Sequence, residues 1–370
     1  MIASIEARDY RNLTGRVSAS LGPGLTVFHG ANGAGKTNLL DAIHFGLTGT
    51  SIRPGTVKHV IGFDADSTRV ELEFTDSNGD VHNTLVSIDR SGERRSLIDG
   101  SAPSAAVSVP RVALFHPDRL QTIKGPPAHR RSLIDQFSAA LAPSTADLRS
   151  RYGRTLAQRN AQLRRVRSGE VPVTELEVWD HRLARDAEPL VQARASAVEQ
   201  LAPRFTEAAS SLGLEEPVLS YRPRATGDVD EIRDRLAELR SEAEGRSYVM
   251  YGPHLDDLRI QAGGRQLKQF GSQGQQRSAV LALLLAERAA LAESGREAPV
   301  LLLDDVMSEL DPKRRGLLIE TAVAGGQVVV TATEPSQVPE SGGVPDSTRI
   351  RIDAGVLTPD PRSPELSEAA

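Results

Sequence analysis

Apolar and polar residues alternate over Ser4–Tyr10 and Arg16–Leu21. A short, wholly apolar run, Leu25–Phe28, then ends at Gly30. Alternation predicts half-buried strands, and the continuous run predicts a strand covered on both faces. From Thr37 to Leu47 the spacing lengthens, with Leu39, Leu40, Ile43 and Phe45 supplying the apolar positions of a helix. Alternation returns over 69–74, 81–88 and 95–98. Ser77-Asn78-Gly79-Asp80 separates the first two stretches, and Asn-Gly is a strong hairpin signal. An antiparallel sheet is therefore expected after the first helix.

The pattern changes near residue 116. From Pro127 to about Glu244 the chain is rich in Ala, Leu, Arg and Glu with helical spacing, interrupted at Pro203-Arg204 and from Pro217 to Gly227. Strand character is expected again at Tyr248–Met250 and Leu258–Ile260. A helix over 275–293 and buried strands over Val300–Leu303 and Gln327–Thr331 follow. These shifts suggest four segments: 1–118 and 246–355 as the halves of one α/β domain, 119–245 as a mainly helical insertion, and a Pro-, Ser- and Glu-rich tail over 356–370 that reads as disordered.

With 370 residues, 39% hydrophobic, the chain can bury a sizeable core. It contains no cysteine, which excludes disulfides, thiolate nucleophiles and zinc knuckles. The most apolar run, Ala279–Ala286, is flanked by Arg277, Glu287 and Arg288 and is far shorter than the roughly 20 residues that span a bilayer. A cytoplasmic protein is the expectation. The net charge of −5 conceals a stripe between Arg111 and Glu170 that holds twelve Lys/Arg against four acids. Such a stripe is either a solvated helix face or an electrostatic footprint for nucleic acid.

Gly30-Ala31-Asn32-Gly33-Ala34-Gly35-Lys36-Thr37 satisfies G-x-x-x-x-G-K-[ST] between an expected strand and an expected helix. Glycines let backbone N–H groups turn toward phosphate oxygens, and a helix N-terminus adds partial positive charge. In such a loop Lys36 reaches the β- and γ-phosphates of ATP, and the Thr37 hydroxyl ligates Mg²⁺. Far downstream, Val300–Leu303 ends in Asp304-Asp305. By itself an acidic pair there reads as a helix cap. With a phosphate loop in the same chain, Asp304 becomes a candidate Mg²⁺ ligand, and Asp305 the candidate catalytic residue that orients or deprotonates water.

Phe270-Gly271-Ser272-Gln273-Gly274-Gln275-Gln276-Arg277 opens the helix over 275–293, and Ser308-Glu309-Leu310-Asp311 follows the acidic pair. Together with the phosphate loop these segments resemble the ABC-type ATPases. That resemblance implies a head with a mixed sheet and an antiparallel β subdomain. It also implies that Ser272, Gln273, Gly274 and Gln275 face ATP held by a second copy, and that Ser308 and Asp311 form the D-loop. Further segments narrow the match: Arg11-Asn12, Phe115-His116-Pro117-Asp118, Lys124-Gly125-Pro126-Pro127, Arg130-Arg131-Ser132-Leu133-Ile134-Asp135, Trp179-Asp180 and Gly252-Pro253-His254-Leu255-Asp256-Asp257. In this order they resemble the RecF family of bacterial recombination-mediator ATPases. The resemblance implies ATP-dependent homodimerisation on DNA, slow DNA-stimulated hydrolysis, action at gaps and stalled forks, and cooperation with RecO and RecR. Three departures stand out: Leu255 where the family usually has Arg, His116 where it usually has a small residue, and no Gly around Asp186-Ala187 where one is common after the Trp-Asp segment.

ABC-type ATPases usually carry a His at the end of the strand after the acidic pair. Here Thr331 or Thr333 must stand in, and with Asp305 in place of a longer Glu slow turnover is expected. His254 with Asp256 and Asp257 reads as a structural stretch rather than a metal cluster, and Trp179 as a packing anchor. The resemblance makes Arg130, Arg131, Arg151, Arg154, Arg164 and Arg165 candidate DNA contacts. With only Phe137 and Tyr152 interleaved, backbone contact with duplex is expected over base stacking. Alternatives within the same superfamily are a nucleotide-gated scaffold and a chromosome-structuring or defence ATPase.

Overall fold

The computed structural model describes residues 1–53, 55, 57–104, 107–240, 248–339 and 347–360. It divides into two units, Met1–Asp118 with Gly295–Ala370, and Arg119–Ser294. The expected boundary near 245 is therefore displaced: the helix that begins at Gln273 groups with the helical unit, and the phosphate-loop unit resumes only at Gly295.

In the first unit, β1 (Ile2–Tyr10) and β2 (Leu13–Ser20) form a hairpin. They join β4 (Ser67–Thr75), β5 (Val81–Asp89) and β6 (Arg94–Ile98) in an antiparallel sheet of order β2-β1-β4-β5-β6. A second sheet contains β3 (Leu25–His29), β7 (Val112–Phe115), β11 (Val300–Leu303), β12 (Val328–Ala332), β13 (Thr348–Asp353) and β14 (Val356–Pro359) in the order β14-β13-β3-β12-β11-β7. Every neighbouring pair in it is parallel except β13 with β14. Parallel strands covered on both faces are uniformly apolar, and all residues of β3, β11 and β12 are buried. Helix α1 (Lys36–Thr48) buries Leu39, Leu40, Ile43 and Phe45 and stops at Gly49, whose left-handed backbone (φ 65°) directs its N–H to the Phe45 carbonyl. Gln327 links the sheets: its side chain accepts from the Ile2 N–H at 2.8 Å and donates to the carbonyls of Ile2 at 2.6 Å and Gly22 at 2.8 Å.

The second unit holds α2 (Gln121–Lys124), α3 (Pro127–Leu141), α4 (Leu148–Arg167), α5 (Leu176–Ser211) and α6 (Val229–Glu238). A small antiparallel sheet, β10 (Arg265–Gln266), β9 (Asp257–Ala262) and β8 (Val218–Arg222), leads to the helix Gln273–Glu293. Helix α5 corrects the expected break at Pro203-Arg204, because both Pro189 and Pro203 lie inside it. A proline removes one backbone bond, and here buried Leu190, Leu201 and Phe205 hold the helix through both sites. Three other expectations change. Tyr248–Met250 is not a strand, β8 forms inside the supposed interruption 217–227, and Val356–Pro359 is a paired strand rather than the start of a tail. Residues 361–370 lie outside the described residues.

Buried ion pairs pin the helical unit. Asp180, fully buried, accepts from Arg159 Nε at 2.5 Å and Arg240 Nε at 2.6 Å. Arg194 is forked onto Asp135 at 2.7 and 3.1 Å and also reaches Asp256 at 2.9 Å. Asp256 further accepts from the Tyr221 hydroxyl and from the Arg224 N–H at 2.7 Å. Desolvation raises the Asp256 pKa, and these donors oppose the shift. Removing one partner of a buried pair leaves an uncompensated charge, at a cost of about 3–5 kcal/mol. Asp180→Ala should therefore lose stability on that scale in urea denaturation, whereas exposed Arg164→Ala should stay within about 0.5 kcal/mol of the parent.

Candidate nucleotide-binding site

The segment 30–37 leaves the end of β3 and enters α1, as its glycines require. Gly30 (φ 156°) lies so close to β13 that a Cβ would sit 2.1 Å from the Ile352 carbonyl oxygen, and Gly33 and Gly35 have φ of 84° and 116°. Lys36 is buried and folds back to donate to the carbonyls of Gly30 at 2.7 Å and Ala31 at 2.9 Å. Burial lowers its pKa from the usual lysine value, while Asp305 and Asp304 pull it back up. The ammonium thus waits against loop carbonyls that a phosphate oxygen would replace. The first N–H groups of a helix lack intrahelical partners, so the start of α1 favours an anion.

The sheet order sets β12 between β3 and β11 and carries the acidic pair to this loop. The Thr37 hydroxyl lies 3.0 and 2.9 Å from the two carboxylate oxygens of Asp304. A hydroxyl and a carboxylate converging at that distance are hard oxygen donors that fit Mg²⁺, with the remaining positions left for phosphate and water. Asp305 is a non-glycine residue in the left-handed region (φ 49°), and its buried Oδ1 has no hydrogen-bond partner among the described residues. An orphaned buried carboxylate oxygen on a strained residue marks a group held for an absent partner. Ser308 donates to the Asp305 carbonyl at 3.1 Å, and Asp311 caps the helix Pro312–Ala324 through the Arg314 N–H at 3.0 Å.

The hydroxyls of Thr331 and Thr333, expected to stand in for a histidine, are both engaged within the chain. Thr331 is fully buried and donates to Asp304 Oδ1 at 2.8 Å, and Thr333 donates to Gln337 Oε1 at 2.9 Å. Sequence reasoning also passed over two supports of the loop. Asn12 Nδ2 donates to the Gly33 carbonyl at 3.2 Å and its Oδ1 accepts from Asn38 at 2.6 Å. The β13–β14 turn offers the Gly355 N–H to the Ala34 carbonyl at 2.9 Å. Arg11-Asn12 was legible as a motif, but its contact with the loop was not.

In the helical unit, Ser272 caps the helix Gln273–Glu293. Its Oγ accepts from the Gln275 N–H at 3.2 Å, and its own N–H donates to Gln275 Oε1 at 2.9 Å. Ser272, Gln273 and Gln275 are exposed, so this helix N-terminus is open to an anion, with the Ser272 hydroxyl proton still available to donate. The arginine stripe divides. Arg130 is buried, bidentate on Asp257 at 2.6 and 3.0 Å and donating to the carbonyls of Thr122, Ile123 and Gly125; it braces the unit and does not present itself to DNA. Arg131, half-buried, donates to the Asp256 carbonyl at 2.8 Å, and Arg151 pairs with Asp186 at 2.8 Å. Arg154, Arg164 and Arg165 are exposed on α4. His254 bridges the Tyr152 hydroxyl at 2.7 Å and the Val249 carbonyl at 2.9 Å, and burial lowers its pKa, so it belongs to the packing and not to a metal site.

A phosphate loop and an acid-terminated strand of one mixed sheet, together with a serine-capped signature helix in the helical unit, define an ABC-type ATPase head. The family model described as RecF/RecN/SMC N terminal domain matches residues 1–348. A protein named DNA replication and repair protein RecF, from Heliobacterium modesticaldum, is 34% identical over 96% of this chain and 98% of its own length. Two solved structures, described as the recombination mediator protein RecF-ATP and RecF-ATPrS in the RecFOR pathway, superpose with TM-scores of 0.80 and 0.79 at 24% and 25% identity. Each covers 97% of this chain, and the chain covers 97% and 98% of theirs. The chain belongs to the RecF family.

Gly30→Ala tests the loop's dependence on β13. The added methyl must displace the Ile352 carbonyl, which should cost about 1–3 kcal/mol of stability, and the shift in melting temperature on adding ATP should shrink with it.

Proposed function

We propose that this protein is an ATP-gated DNA-binding ATPase that closes into a homodimer on DNA and acts in recombinational repair of gaps and stalled replication forks, in the cytoplasm. One observation carries the reading: Thr37 and Asp304, 267 positions apart, meet within 3.0 Å beside Lys36, while the exposed Ser272 helix N-terminus offers an anion site of its own. ATP held by Gly30–Thr37 of one copy is covered by Ser272–Gln275 of a second copy. The relatives named for DNA replication and repair, and the solved RecF-ATP structure described in the RecFOR pathway, support the same role and imply RecO and RecR as partners.

Thr37 and Asp304 would hold Mg²⁺, which neutralises charge on the β- and γ-phosphates. Lys36 exchanges its two loop carbonyls for phosphate oxygens. Asp305 orients the attacking water and takes its proton, through the Oδ1 that has no partner among the described residues. The strand β12 ends Val330-Thr331-Ala332 and carries no imidazole there, which fits slow turnover. Such slow hydrolysis suits a timer that reopens the dimer, and DNA accelerates it. The DNA contacts are reduced to the exposed arginines of α4, Arg154, Arg164 and Arg165, joined by exposed Arg167. They bind backbone phosphates without reading bases.

Light scattering with ATP and DNA should show a dimer in the parent and a monomer in Lys36→Ala and Ser272→Arg; equal dimerisation without nucleotide would refute the gate. Asp305→Asn should accumulate the dimer with hydrolysis down by about 10²–10⁴-fold. If that variant nevertheless supports repair in cells, the scaffold reading prevails. Replacing Arg154, Arg164, Arg165 and Arg167 with alanine should flatten the salt dependence of DNA binding by roughly 0.9 log–log units per lost contact.

A further inference from the structure

The hydroxyl of Thr331 touches both acids of the Asp304-Asp305 pair. Its Oγ accepts the Asp305 N–H at 2.9 Å and donates to Asp304 Oδ1 at 2.8 Å, and the residue is fully buried on β12. A hydroxyl has a single proton. Since the Asp305 N–H occupies it as acceptor, that proton has one acceptor in reach, the Asp304 carboxylate. The relay Asp305 N–H to Thr331 O–H to Asp304 thus has one polarity. It also captures the backbone N–H of a residue whose φ of 49° side chains rarely adopt.

We infer that Thr331 is a positioning residue that locks the metal-facing and water-facing acids of the site into a single unit. Asp304 has one oxygen shared between Thr37 and Thr331 and the other turned to Thr37 alone. Its carboxylate plane is thereby set from both sides. Without the Thr331 hydroxyl the carboxylate can rotate about its own bond, and the Asp305 N–H is left buried with no acceptor. Asp305 can then relax from the left-handed region and carry its carboxylate away from the water it serves. This threonine acts as a bracket between the two acids. The inference rests on the nucleotide site proposed above.

Thr331→Val keeps the shape and deletes the hydroxyl, and Thr331→Ser restores it. Binding of a fluorescent ATP analogue should be titrated with EDTA and then across a Mg²⁺ series, followed by steady-state hydrolysis. The valine variant should bind as the parent does in EDTA, because the loop and Lys36 are untouched. It should need about tenfold more Mg²⁺ for half of the metal-dependent gain, the factor for losing a hydrogen bond to a charged group, and lose kcat with KM little changed. The serine variant should match the parent in both. A valine variant with parental Mg²⁺ dependence, or a serine variant as impaired as valine, overturns the bracket. If valine prevents folding, Thr331→Cys, a weak donor of similar size, takes its place in the same comparison. A parent that binds no nucleotide refutes the site itself, whereas a parent that binds while valine behaves identically refutes the bracket alone.

Discussion

The hydrogen bonds between Thr37 and Asp304 depend on a constraint of the sheet: β12 must lie between β3 and β11, all three parallel. In that order the C-terminal ends of the strands line up on one edge. The loop after β3 and the acids after β11 then face each other across the end of β12, where Thr331 sits. Displace β12 and the hydroxyl, the carboxylate and the lysine no longer converge. The chain meets the constraint with short runs, Leu-Thr-Val-Phe-His, Val-Leu-Leu-Leu and Val-Val-Val-Thr-Ala, that have no solvent face to offer and fit only a doubly covered sheet.

The helical unit solves a different problem. Its helices are rich in arginine, and much of that charge is internal. Arg130, Arg159 and Arg194 are each nearly inaccessible and each meet an aspartate. Buried pairs of this kind are weak as net stabilisers and strong as specifiers of one arrangement, because every alternative packing strands a charge. The same economy leaves Arg154, Arg164 and Arg165 on the outer face of α4, so one composition serves both structure and surface.

What was legible in the sequence follows from what is contiguous. The phosphate loop is a continuous octapeptide, and the acidic pair ends an apolar run, so pattern alone locates them. The hairpin β4–β5 was legible for the same reason: Asn78-Gly79 sits at its turn and the flanking residues pair in register. Features set by long-range contact were not. Arg130 and Arg164 look alike in a charge count, and only Asp257, 127 positions from Arg130, tells them apart. Helix α5 runs through two prolines because its apolar face is buried, which outweighs local preference. Thr331 resembled a substitute for an absent histidine, and its real partners lie one strand over.

The turn between β13 and β14 has a consequence for biogenesis. It donates the Gly355 amide to the Ala34 carbonyl, and the Ile352 carbonyl of β13 packs closely against Gly30, so the loop leans on residues more than three hundred positions later in the chain. A chain made in order therefore exposes the octapeptide long before the strands that back it. A chain that stops before β13 carries the complete octapeptide motif yet lacks the backbone wall behind Gly30 and Ala34.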